Sequence, residues 1–128
     1  MIEHLGTPPV RANGVQIPYT PAVRAGDYLF ISGQLGLDAD GKPIAPDVAG
    51  QARECIKRLQ RLLQTAGADL SKIVKVTVWI TDAADFPAFN AVYRELMPTP
   101  LPARSTVVSG LVIPGTRIEI EAIAYLGS

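Results

Sequence analysis

The chain has 128 residues, with 12 Lys plus Arg against 12 Asp plus Glu, 48% hydrophobic and 6% aromatic residues, one His and one Cys. A chain of this length buries roughly two-thirds of the surface its unfolded form exposes, so one core stabilises it without disulfides or a structural metal. The zero net charge, with acids and bases scattered along the chain, argues against a dedicated nucleic-acid or membrane surface, because both partners reward a basic excess on one face.

No repeat or low-complexity tract divides the chain, which reads as one domain over 1–128. After a Pro-rich lead-in through Pro21, the apolar and aromatic run over 28–32 predicts a strand that stops at Gly33. Asp38-Ala39-Asp40-Gly41 predicts a turn. Asp47 follows Pro46 where an N-cap belongs, and Val48, Ala52, Cys55, Ile56, Leu59, Leu62, Leu63 and Ala66 recur in steps of three and four. They predict a helix over 48–66, ended by Gly67. Over 72–80, Val74, Val76, Val78 and Ile80 alternate with Lys75, Thr77 and Trp79, the period-2 signature of a strand. A second helix is expected over 85–97, capped by Asp82 or Asp85 and stopped by Pro98-Thr99-Pro100-Leu101-Pro102. Two more strands are expected over 103–109 and 117–125, separated by Gly110 and the turn dipeptide Pro114-Gly115.

Two helices and at least four strands in this length predict an α+β two-layer sandwich, with both helices on one face of a mixed sheet. Trp79, Val108, Ile123 and Tyr125 are expected on the other face. That set is too apolar for water, so further copies of the chain are expected to cover it, giving a homo-oligomer.

Chemistry is narrowed by what is scarce. Cys55 has no partner for an internal disulfide, and with His4 the only imidazole there is no set of zinc ligands. His4 sits close to an end expected to be mobile, so acid–base work falls to carboxylates. Neither a basic, apolar leader nor 18 consecutive apolar residues occurs, which predicts a cytoplasmic protein.

Charges at positions that pattern assigns to strands are the informative anomaly. Glu119 and Glu121 share a strand face with Ile123 and Tyr125; Arg104 shares one with Thr106 and Val108. If the last two strands pair directly, as their short Gly/Pro connection predicts, Arg104 lies near a glutamate. Such a set is either a structural ion pair on a polar rim or a carboxylate-binding site with an acid–base group beside it. Tyr19, Ser32 and Gly33 are each ambiguous when taken singly.

Ile31-Ser32-Gly33-Gln34, Ala66-Gly67-Ala68-Asp69-Leu70, Phe89-Asn90-Ala91-Val92-Tyr93, Pro102-Ala103-Arg104-Ser105 and Ile118-Glu119-Ile120-Glu121-Ala122 together resemble the YjgF/RidA family of reactive-intermediate deaminases, also known as the endoribonuclease L-PSP or translation-inhibitor family. The resemblance covers essentially the whole chain. It implies a chorismate-mutase-like fold and a homotrimer with ligand clefts between subunits. It further implies cofactor-free hydrolysis of 2-imino acids, or their 2-enamine tautomers, to 2-oxo acids and ammonia. Carried over residue by residue, Arg104 binds the substrate carboxylate and Glu119 positions water and moves protons. Tyr19, Ser32 and Gly33 line the cleft, the Ser105/Thr106 backbone orients the imine, and Glu121 stands behind them. Thr106 replaces a cysteine of the best-known subfamily, and Ile17-Pro18-Tyr19 replaces a Gly-Pro-Tyr segment, which bears on substrate size. Three rival readings go with this one: a non-catalytic metabolite-binding regulatory trimer, a catabolic deaminase of aminoacrylate-type or aminomuconate-type enamines, and an RNA-cleaving protein, which the neutral charge and the lack of a placed His oppose.

Overall fold

Alternating apolar runs become six strands, β1 (Ile2–Leu5), β2 (Ala22–Ala25), β3 (Tyr28–Leu35), β4 (Ile73–Ile80), β5 (Ala103–Val108) and β6 (Ile118–Tyr125), in the computed structural model, which describes residues 1–128. They form one sheet in the order β1-β2-β3-β6-β4-β5. Helices α1 (Val48–Thr65) and α2 (Phe86–Leu96) connect β3 to β4 and β4 to β5. Only β4 and β5 pair in parallel; the other pairings are antiparallel. Thus the predicted two-layer α+β class holds, with two additional short strands at the N-terminal edge.

One expected pairing is overturned. β6 does not lie beside β5 but between β3 and β4, so a whole strand separates Arg104 from the glutamates. The 48–66 and 85–97 helices hold to within a residue. The first predicted strand continues past Gly33 to Leu35 through an irregularity between Ile31 and Gln34.

The helical periodicity explains the core. α1 starts where the Gly50 N–H donates to Asp47 Oδ2 at 3.1 Å, and its Val48, Ala52, Cys55, Ile56, Leu59 and Leu63 are buried. They pack on β3 and β6 and join a core cluster of 21 residues. Gly36 lets α1 come close, since a Cβ there would stand 2.6 Å from the Gln51 carbonyl oxygen. Gln51 is fully buried; it donates to the Ala45 and Gly115 carbonyls and accepts from the Arg117 N–H at 2.7 Å. Asp82, rather than Asp85, makes the side-chain cap before α2, while Asp85 pairs with Arg117 at 2.8 Å.

The second sheet face carries no helix. Register places Tyr28, Phe30, Trp79, Val107, Ile123 and Tyr125 there. Tyr28, Phe30 and Val107 are 46%, 47% and 41% exposed. Val108, expected on this face, pairs with core-facing Ile80 and lies on the helix side; Val107 takes its place. No helix is long and apolar enough to cross a membrane.

Candidate functional site

Glu119 stands on central strand β6, flanked by Leu35 on one side and Trp79 on the other. These neighbours limit its contact with water, and burial, followed by the nearby charge of Glu121, raises its pKa above the usual glutamate value. The β3 irregularity presents Gly33 directly to it. A Cβ on Gly33 would overlap Glu119 Oε2 and stand 2.8 Å from its Cδ, so only glycine allows this approach.

Ser32 is fixed beside Gly33 by two bonds to the lead-in segment, its N–H to the Pro21 carbonyl at 2.9 Å and its hydroxyl to the Thr20 carbonyl at 2.7 Å. With its proton committed, the hydroxyl oxygen is left as an acceptor. Tyr19, just upstream, lines a cleft of about 440 Å³ with Gln34, Arg58 and Arg61. Burial raises its hydroxyl pKa above the ordinary tyrosine value, against the opposing charge of Arg58. The structure therefore brings Ser32, Gly33, Glu119 and Glu121 together, with Tyr19 next to the Thr20 whose carbonyl holds Ser32.

Arg104 belongs to a second cluster. Edge strand β5 pairs Arg104 with core-facing Val76 and Thr106 with Val78, so both lie on the helix side of the sheet. There the Arg104 guanidinium lies over the rings of Phe86, Phe89 and Tyr93. It lines a cleft of about 260 Å³ with Asn90, Tyr93, Arg94, Leu101 and Pro102. Ser105 faces the open side, where its hydroxyl accepts from Lys75 Nζ at 2.9 Å.

Glu119 and Glu121 lie on the opposite side of the sheet from Arg104, whereas the Tyr19 cleft is walled by α1. The expected proximity of Arg104 to Glu119 and Glu121 does not exist within one chain, and neither do ion pairs among them. The chain's four ion pairs are Arg53–Glu95, Arg58–Glu54, Arg61–Glu54 and Arg117–Asp85. Strand parity is the cause: Ser105 and Val107, not Arg104, share the face of the glutamates.

Two scarce residues are also accounted for. Cys55 is fully buried with Sγ 3.2 Å from the Gln34 carbonyl oxygen, and burial pushes its thiol pKa up to about 12, so it belongs to the core. His4, expected in a mobile end, is paired in strand β1 opposite Val23. Asn90 and the three rings around Arg104 were not singled out from the sequence as site residues. Their signal was the spacing 86, 89, 90, 93 on one helix, which also describes an ordinary core stripe.

Residues 11–126 match the profile of the family described as Endoribonuclease L-PSP. The chain is 42% identical over 127 residues to the RutC family protein y4sK of Sinorhizobium fredii, covering 98% of this chain and 99% of that one. It is 36% identical over 118 residues to the human 2-iminobutanoate/2-iminopropanoate deaminase, covering 91% and 86%. Among solved structures, RidA from the Antarctic bacterium Psychrobacter sp. PAMC 21119 superposes with a TM-score of 0.83 at 31% identity, covering 96% of this chain and 98% of that one.

Proposed function

The chain belongs to the endoribonuclease L-PSP family, the YjgF/RidA family, and from that premise we propose that it hydrolyses reactive 2-imino or 2-enamino acids to 2-oxo acids and ammonia. The observation that carries this reading is a raised-pKa glutamate packed on Gly33 on one face of the sheet and a guanidinium bordering a cleft on the other, neither ion-paired within the chain.

Because the two groups lie on opposite sides of one sheet, the reading places Arg104 of one copy opposite Glu119 of another, across an interface in a homotrimer. The exposed aromatic face around Phe30 and Tyr28 supports such assembly.

In the reaction, the Arg104 guanidinium binds the substrate carboxylate through paired N–H donors. The iminium carbon is already electrophilic, so orientation and one delivered water suffice, without metal or cofactor. Glu119 accepts a proton from that water as its oxygen bonds to the imine carbon. A raised pKa strengthens it as a base compared with an ordinary glutamate. Glu119 then returns the proton to nitrogen; as the C–N bond breaks, ammonia departs while Glu119 takes the hydroxyl proton of the carbinolamine and passes it to ammonia, so that iminium plus water balances 2-oxo acid plus ammonium. Ser32 Oγ, its own proton spent on Thr20, accepts from the substrate N–H. The Ser105/Thr106 backbone orients the imine, Tyr19 covers it, and Glu121 keeps Glu119 basic.

The test supplies 2-iminopropionate in situ from an amino-acid oxidase and follows ammonia release. Arg104→Ala is expected to reduce acceleration to the buffer rate while circular dichroism and sedimentation stay those of the wild type. Wild-type turnover by that variant overturns the assignment. A wild type that binds 2-oxo acids without accelerating imine hydrolysis would instead establish a metabolite-binding protein.

A further inference from the structure

Arg104 is oriented without being hydrogen-bonded to any side chain or ion-paired to any carboxylate. Its Cζ lies 5.6, 5.1 and 4.9 Å from the ring centroids of Phe86, Phe89 and Tyr93. These residues occupy one face of α2, at spacings of three and four. The Tyr93 hydroxyl is buried and has no hydrogen-bond partner, so Arg104 meets this residue through its ring and not through its oxygen.

We propose that Phe86, Phe89 and Tyr93 form an aromatic cradle that positions the Arg104 guanidinium for the substrate carboxylate while leaving its N–H donors free. The proposal rests on the reading of Arg104 as the carboxylate ligand.

The chemistry favours rings over an acid in this role. A carboxylate would orient the guanidinium by occupying the paired N–H donors that the substrate needs, and the two anions would then compete. A ring face attracts the cation through its quadrupole but takes no in-plane hydrogen bond. All five N–H groups lie in the guanidinium plane and none is bonded to another side chain, so contact with the ring faces leaves a carboxylate-binding edge available. The side chain is ordered before substrate arrives, which lowers the entropy cost of binding. These three are positioning residues, since they act on the substrate only through Arg104.

Phe86 is the residue on which to test this. It is 39% exposed, whereas Phe89 and Tyr93, at 0% and 5%, are part of the core. Phe86→Leu removes the ring face with little disturbance of packing. Pyruvate, the product of 2-iminopropionate hydrolysis, serves as the calorimetric probe on the intact protein. Phe86→Leu is expected to weaken pyruvate binding about two- to fivefold and to raise KM for 2-iminopropionate by a similar factor, with kcat changed less. Phe86→Tyr is expected to restore both, because it restores the ring. A merely structural role would lower the denaturation midpoint and leave pyruvate affinity alone.

Wild-type affinity and KM in Phe86→Leu overturn the cradle, as does a loss that Phe86→Tyr fails to rescue. Arg104→Ala separates this outcome from failure of the underlying reading. If Arg104→Ala abolishes pyruvate binding while Phe86→Leu leaves it intact, the cradle alone falls. If Arg104→Ala still binds pyruvate, the role of Arg104 falls and the cradle falls with it.

Discussion

Glu119, Glu121 and Arg104 drew notice because charge interrupts strands built from Ile, Val and Ala, and that anomaly was legible in residue order alone. What could not be read was their relation to one another. The structure leaves all three outside the chain's ion pairs, so electrostatic stability within one chain does not explain them. For Glu119 this has a measurable consequence. Its folded-state pKa is raised, so the folded chain holds this proton more tightly than the unfolded one. Stability from this group is fully present below the ordinary glutamate value of 4.5 and is lost as pH rises through the higher folded value. Glu119→Gln, which carries no charge to bury, is therefore expected to be inactive yet more resistant to urea than the wild type at about pH 8. The difference is expected to vanish near pH 4. A gap in midpoint that stays constant with pH, measured at fixed subunit concentration, would contradict this origin.

Among the elements, β3 and β5 depart most from their sequence reading. Ser32-Gly33 reads as the end of a strand; in the sheet it is an irregularity within one, and β3 resumes pairing at Gln34 opposite Ile120. Only the neighbouring strand shows the difference, because glycine breaks a strand and serves a bulge equally well. The consequence belongs to the element: the irregularity admits the Glu119 carboxylate against the backbone. Gly33→Ala is expected to push that side chain aside and cut imine hydrolysis at least about tenfold, since catalysis is sensitive to displacements of about 1 Å. Because the clash is with a partly exposed side chain, the melting temperature is expected to fall by only a few degrees, about 1 kcal/mol or less in stability. Calorimetry and steady-state rates on the same preparation check both. The placement of β5 follows from α2. A strand-helix-strand sequence supplies the crossover that parallel pairing requires, so β5 joins β4, and β6 fills the space between β3 and β4. The short connection before β6 suggested a hairpin. Burial explains the outcome: β6 alternates buried and half-buried residues from Ile118 to Ala124, as a central strand does, while β5 is exposed or half-buried throughout, as an edge strand is. β1 and β2, four residues each, carried too little pattern to be read.

For the whole molecule, the opposite placement of Arg104 and Glu119 makes a distinctive prediction. Arg104→Ala and Glu119→Gln are each expected to be inactive alone. Mixed, unfolded and refolded together, they are expected to regain activity, because a hybrid can form a cleft with wild-type Arg104 from one copy and wild-type Glu119 from another. With random assembly of a closed trimer, about a quarter of the clefts are intact. Sedimentation of the wild type at micromolar concentration should show the trimer on which this depends. No recovery from a verified hybrid would mean that the site does not cross subunits.

By itself, the sequence determined the α+β class, both helices to within a residue, the stripe that α1 buries, and the residue types available for chemistry. These follow from local periodicity, capping and composition, which need no knowledge of distant partners. Only the tertiary structure decided that β6 lies between β3 and β4, that Gly33 is packed on Glu119, and that Arg104 is cradled by rings on the opposite side from the glutamates. Strand order and facing are set by pairings between segments far apart in the chain. A shift of one residue or the insertion of one strand reverses which charges can meet.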